Sequence, residues 1–310
     1  MPLPTPRANE SESNFVSRCD IDPTMVAEFP DDVQRIAVCY SLYEGETQKL
    51  NTESTVADIR NKWETQLNKA ERENVRDVYA LYRSEYRKAI PNASENLPVE
   101  ENAIFKGEDL TAMLVKLYRK IGLQFALWYY REFRNFIPKA APNLDLLSEQ
   151  WAADFENYGK RYAARHIKLL RDTALTTLKR VTRQLFLDEA FQTAGQVERA
   201  RILQSRFDKL SYMQSERIVR TEATTAANYA ILRSALTVYP KEQLKKRWIT
   251  SMDGRERDWH GVANGQEVNM DASFVVGGEY LERAGMGSAR NRINCRCVTM
   301  PIPQKNPLDF

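Results

Sequence analysis

The chain has 310 residues, enough for two or three domains and a sizeable core, and its 43% hydrophobic and 28% charged residues exclude a disordered chain. Lys and Arg number 45 against 42 acids, so the net charge of +3 selects no partner, and only local clusters of charge carry information. The longest apolar run, Ile121 to Tyr130, is bounded by Lys120 and Arg131 and falls well short of the roughly 20 residues of a bilayer span.

In chain order, Met1 to Glu10 is proline-rich and lacks the apolar stretch of a secretory signal. Cys19 and Cys39 follow, and with Cys295 and Cys297 near the other end they do not have the dense spacing of a disulfide scaffold. All four are expected to be reduced thiols in a cytoplasmic setting. Val56, Ile59, Trp63, Leu67, Ala70, Val78, Tyr82, Tyr86 and Ala89 recur at mostly helical steps, predicting one long amphipathic helix stopped by Pro91. A second helix is predicted from Asp109 to Phe136, apolar nearly all round its centre and therefore buried. A third starts at Ser148 as N-cap and carries Trp151, Phe155, Tyr158, Tyr162 and Leu178 along one stripe to Gly195. A fourth runs from Val197 to Leu236, with a break near Ser211.

Between Pro142 and Pro240 no proline occurs, whereas seven of the twelve glycines fall from Gly254 to Gly287. The middle is thus helical and the end is loop and strand, with short strands expected at Val268 to Met270, Phe274 to Val276 and Ile293 to Met300. Helices of about forty residues would each extend about 60 Å. The fold class expected is therefore α+β: an elongated, mainly α-helical body with a small carboxy-terminal mixed α/β domain. The divisions drawn are 1–45, a short helical module; 46–210, the long-helix body; 211–301, the terminal domain; and 302–310, an extended tail.

Two segments could carry chemistry. From Lys160 to Arg183 the third helix bears Lys160, Arg161, Arg165, Lys168, Arg171, Lys179, Arg180 and Arg183 against a single acid, Asp172, a local net of +7. Such a face could track a phosphate backbone, and it could equally be a solvated face or one paired to acidic helices. His260, Cys295 and Cys297 form the second. On a strand from Ile293 to Thr299 the two thiols would point to one side, and zinc could take both sulfurs, His260 and an oxygen of Asp253 or Asp258. The competing reading is a pair of buried core cysteines without metal. Asp253 and His260 also admit an enzyme reading, a metal-dependent nuclease or toxin-like transferase, although Asp-Gly is first of all a turn dipeptide. No Gly-Lys-Ser/Thr phosphate loop occurs, and Gly285-Met286-Gly287 lacks the strand and helix of a dinucleotide fingerprint.

Arg217-Ile218-Val219-Arg220-Thr221-Glu222 on a helix, then Trp248 to Asp253, His260, Gly265-Gln266 and Asn294-Cys295-Arg296-Cys297, in that order, resemble the Mu F-like head morphogenesis proteins of tailed phages. The likeness covers about Tyr212 to Pro301. Phe15-Val16-Ser17-Arg18-Cys19, Glu28-Phe29-Pro30 and Gln34 to Ser41 look like a short module at the start of phage head-assembly proteins, with Cys19 and Cys39 read as core thiols on two short helices and a second metal or redox site as the alternative. The resemblance implies a minor capsid protein of the virion, held inside the head near the portal after assembly in the host cytoplasm. It implies portal and major capsid or scaffold proteins as partners, with packaged double-stranded DNA beside them. Arg220, Thr221, Glu222, Trp248, Asn294 and Arg296 are then a fold signature with no catalytic role, and the protein is expected not to be an enzyme.

Overall fold

The computed structural model describes residues 3–7, 10–133 and 143–304. The chain divides into two compact units, residues 1–62 and 63–310. The first contains α1 (Glu12–Asp20), α2 (Pro23–Glu28) and the beginning of α3 (Asp32–Ser94). Ser11 and Asp22 cap α1 and α2 through their side chains, and Pro23 stands at the first position of α2, where a missing N–H is harmless. Phe15, Val16, Cys19, Met25 and Cys39 form its core. Here the structure corrects the expectation of reduced thiols. Cys19 on α1 and Cys39 on α3 face each other across that core with Cα atoms 5.9 Å apart, and they are joined as a disulfide.

The second unit takes in the rest of α3, α4 (Gly107–Glu132), α5 (Leu144–Leu185), α6 (Glu189–Thr193) and α7 (Gln196–Val238). α4 packs on both α5 and α7. The crossing with α5 is close because it is built on glycine: a Cβ at Gly122 would fall 2.4 Å from the Phe155 ring, and one at Gly159 would fall 3.1 Å from the backbone of Val115. Tyr82, Tyr86, Phe105, Phe191, Leu203 and Phe207 fill the adjoining core, with Tyr86 stacked on Phe207 at 5.1 Å.

Four helix boundaries differ from the periodicity reading. α3 runs through Pro91 and ends at Ser94, because a proline in the last turn sacrifices a single intrahelical bond. Asn143, not Ser148, caps α5; Ser148 lies inside the helix and donates back to Leu144 O. The run to Gly195 breaks after Leu185, where Asp188 caps the separate α6. α7 continues past Ser211, whose hydroxyl is satisfied by Phe207 O at 2.7 Å. The end expected at Phe136 lies outside the described residues, α4 being described as ending at Glu132.

After α7 come β1 (Leu244–Ile249), α8 (Asp258–Ala263), β2 (Glu267–Asn269), β3 (Phe274–Val276), β4 (Glu279–Leu281), α9 (Ala289–Arg292) and β5 (Val298–Pro303). β1 is the centre of an antiparallel sheet ordered β2-β1-β5, and β3 and β4 form a hairpin. Gly277 and Gly278 supply its two-residue turn with φ of 57° and 81°, as a tight hairpin requires. The fold is α+β, mainly helical, with a small carboxy-terminal region of antiparallel strands and short helices. Two strand expectations are corrected. Ile293 and Asn294 form a turn, Cys295 to Cys297 are irregular chain, and the strand begins only at Val298. Ile302 and Pro303 belong to β5 and not to a tail, and an edge strand tolerates its two prolines, Pro301 and Pro303. The rest of the expected tail, 305–310, lies outside the described residues.

Candidate functional site

α8 is a short helix that presents His260, held by the bond from Thr250 Oγ1 to His260 O at 2.7 Å. The two cysteines reach the same place from the turn after α9. Asn294 adopts a left-handed φ of 56°, a conformation asparagine tolerates, and this reverses the chain before Cys295. α7 fixes that turn through its side chains. Asn294 N donates to Thr221 Oγ1 at 3.1 Å, Thr224 Oγ1 donates to Cys295 O at 2.5 Å, and Asn228 Nδ2 donates to Cys297 O at 3.0 Å. Asn228 Oδ1 then accepts from Thr299 N at 2.6 Å, near the start of β5.

The outcome is a compact cluster. His260 Nδ1 stands 3.4 Å from Cys297 Sγ and 3.8 Å from Cys295 Sγ, and all three donor atoms lie within 4.8 Å of one another. Each of the three residues is at most 2% exposed. The histidine tautomer follows from its neighbour. Asn291 Nδ2 donates to Val276 O, so Asn291 Oδ1 is an acceptor; it takes Trp259 Nε1 at 2.7 Å and faces His260 Nε2 at 3.2 Å. Nε2 therefore carries the proton and Nδ1 turns a lone pair to the sulfurs. The ring of Trp248 meets His260 edge-on at 5.7 Å and closes the other side. The two thiols titrate together: the hydrogen bond from Cys297 holds Cys295 well below the usual thiol range, and donating that bond, with burial, pushes Cys297 up.

All three residues line a cleft of about 650 Å³ whose other walls are charged. Arg296 spans Glu71 at 2.6 Å and Asn68 at 2.7 Å, and Arg220 approaches Glu71 at 3.6 Å. Asp253 lines the cleft too, but its carboxylate accepts from Arg255 N at 3.0 Å and Ser251 Oγ at 3.5 Å and is not part of the cluster. Asp258 is exposed at the start of α8. No fourth His, Cys, Asp or Glu among the described residues joins the three.

Residues 188–300 match the family described as phage Mu protein F like protein. The Mu F-like segment thus begins at the cap of α6 and contains α7, both cysteines, His260 and the first half of β5. The chain is also 28% identical over 188 residues to the NAD(+)–arginine ADP-ribosyltransferase EFV of Enterococcus faecalis. That alignment takes 57% of this chain but 36% of the relative, so the chain spans about a third of the relative's length. No solved structure matches the chain.

Within the matched segment the six residues expected as a fold signature have distinct tasks. Thr221 and Asn294 bond to each other, Trp248 walls the cluster, and Arg220 and Arg296 flank Glu71. Glu222 is buried, receives Tyr118 OH at 2.8 Å and pairs with Arg292 at 3.5 Å; burial raises its pKa, opposed by Arg292 and the tyrosines. Thr224, Asn228, Asn291 and Arg292 belong to the site without any motif to announce them. For the first two a sequence signal exists: Thr221, Thr224, Thr225 and Asn228 form a polar stripe at helical spacing in an alanine-rich stretch.

The basic face lies on α5, before the Mu F-like segment. Arg161, Arg165, Lys168, Arg180 and Arg183 are exposed. Lys160 pairs with Glu156 at 2.8 Å, Lys179 with Glu101 at 2.6 Å, and Arg171 is tied to Glu101 O at 2.9 Å. Arg161 and Arg165 also line a second cleft, of about 420 Å³, with Arg283, Arg292 and the stacked rings of Tyr158 and Tyr229. His166 in its wall is held down to about 4 by burial and the neighbouring arginines, so it is neutral at pH 7 and the cleft's cations are arginines alone.

Proposed function

We propose that this protein is a minor head protein of a tailed phage, acting in head morphogenesis inside the virion near the portal, with portal and capsid or scaffold subunits as partners. The observation that carries the reading is the match of residues 188–300 to the phage Mu protein F like family. Packaged DNA is the further partner, met by α5. Arg161, Arg165 and Arg183, which pair with no acid among the described residues, leave positive charge facing outward. A phosphate backbone lying there releases counterions, and this term rather than base reading would supply the affinity. No helix among the described residues is long and apolar enough to cross a bilayer.

Two experiments test it. Mass spectrometry and antibody labelling of phage particles carrying this gene should find the protein in mature heads at one vertex; its absence from particles would remove the head-protein reading. Duplex DNA binding measured against salt should show a log–log slope that becomes shallower by about 0.9 for each phosphate no longer neutralised. The Arg161→Glu, Arg165→Glu double variant should flatten it, and an unchanged slope would take DNA out of the account.

A second reading, a transferase, rests on the name of the Enterococcus faecalis relative alone. His260 is poorly placed as its general base, since Nε2 is held by Asn291 and Nδ1 faces two sulfurs. Incubation of the pure chain with NAD+ and an arginine-bearing acceptor should give no modified acceptor. Labelling that disappears in His260→Ala would favour the transferase.

A further inference from the structure

We propose that His260 Nδ1, Cys295 Sγ and Cys297 Sγ are three ligands of a zinc ion, whose fourth position is taken by water from the charged cleft. The spacing is the first argument. Donors at about 2.0 Å for nitrogen and 2.3 Å for sulfur around a tetrahedral centre lie about 3.5 Å from one another. His260 Nδ1 lies 3.4 and 3.8 Å from the two sulfurs, and all three donors lie within 4.8 Å of one another, close to the spacing around one tetrahedral ion.

Orientation is the second. Asn291, itself fixed by Val276 O and Trp259, takes the Nε2 proton and leaves the Nδ1 lone pair facing both sulfurs, the arrangement that outer-shell partners impose on metal-bound histidines. Cys295 and Cys297 are positioned by their carbonyl oxygens, gripped by Thr224 and Asn228, so their sulfurs are held in place by bonds that involve no sulfur. Plain packing of two small apolar thiols would need none of this. Charge is the third argument. Two thiolates and a divalent cation sum to zero, which suits a site with every ligand residue nearly fully buried, and binding sends to solvent whatever protons the sulfurs still hold. Two soft sulfurs and an imidazole select zinc over the oxygen-seeking cations.

The fourth ligand does not come from Asp253, whose Oδ1 is engaged by the turn at Arg255 and which does not join the cluster of the other three. The site opens instead toward the cleft that its three ligands line.

The test uses the full chain, purified without chelator under reducing conditions, with zinc measured by elemental mass spectrometry. About one equivalent per chain is expected. Cys297→Ser and His260→Ala should each lower it at least tenfold, while Asp253→Asn and the Cys19→Ser, Cys39→Ser pair should retain it. Because a ligand variant could fail to fold, cobalt(II) added to the metal-free wild type supplies an independent reading. The proposal expects intense visible bands of tetrahedral thiolate coordination, saturating at one equivalent and abolished by zinc. Wild type holding no more zinc than Cys297→Ser, or cobalt giving only the pale spectrum of the hydrated ion, would overturn it. Loss of zinc in Asp253→Asn would overturn the water-filled fourth position.

Discussion

The two halves of α7 are held by opposite chemistry. Its first half contributes Leu203 and Phe207 to a core of aromatic and aliphatic side chains, where contacts are many, small and interchangeable. Its second half meets the carboxy-terminal segment after Leu281 through Thr221, Glu222, Thr224, Thr225 and Asn228, each buried and each with an identified partner. An apolar core tolerates repacking if volume is kept, whereas a buried polar seam fails when one partner is removed, since the group left behind can reach neither water nor a substitute. Only along the seam is the chain specified residue by residue, and substitutions on the two halves should separate by size.

The largest effect is expected at the ion pair. Arg292→Met leaves Glu222 buried without its countercharge, a loss on the order of 3 to 5 kcal/mol by chemical denaturation. The loss depends on pH in a defined direction. Burial raises the Glu222 pKa above its ordinary value of 4.5, so the stability tied to its neutral form is complete below that value and disappears as pH rises through the raised folded value. Removing Arg292 raises it further, and the deficit should therefore be larger at pH 8 than at pH 5. A deficit equal at both would show that Glu222 is not the group left exposed to the change. Next comes Asn228→Ala, which strips partners from Cys297 O and Thr299 N at once. At about 1 to 3 kcal/mol for each of the two buried orphans, a loss toward the lower end of about 2 to 6 kcal/mol is expected, and less than about 1 would mean the seam is wet. In the helical layers Gly122→Ala drives a methyl group to 2.4 Å from Phe155, an overpacking cost of about 1 to 3 kcal/mol by thermal melting.

This division also explains what can be read from sequence. The aromatic stripe of α5 and the apolar centre of α4 are periodic, and periodicity locates them to within a turn or two. Periodicity misplaces the ends where one side chain decides: Asp188 starting α6, Ser148 satisfied inside α5, Pro91 absorbed in a last turn. The pairing of His260 with Cys295 and Cys297 is legible as a coincidence of residue types, yet a strand pleat is not its cause. A left-handed Asn294 and three side chains of α7 make the approach, and none of these has a periodic signature. Cys19 and Cys39 show the same limit. Their spacing carries no disulfide signal, and only the packing of α1 against α3 sets the sulfurs face to face.

The smallest effect is expected on the outer side of α5. Lys179 and Glu101 form an ion pair at 2.6 Å with side chains 60% and 43% exposed, where solvent screens the attraction and ordering two long side chains offsets much of it. Lys179→Ala should therefore change stability by less than about 1 kcal/mol, and added salt should change even that little. Such a result would deepen the contrast with Arg292, a cation on the same polypeptide whose contribution comes from burial. It would also mean that the cluster of cations from Lys160 to Arg183 is not there to hold the helix in place, because its members can be removed without destabilising the fold. A deficit above about 2 kcal/mol, well beyond the range of exposed pairs, would reverse that inference and make the basic face a structural strut rather than a surface offered to a phosphate backbone.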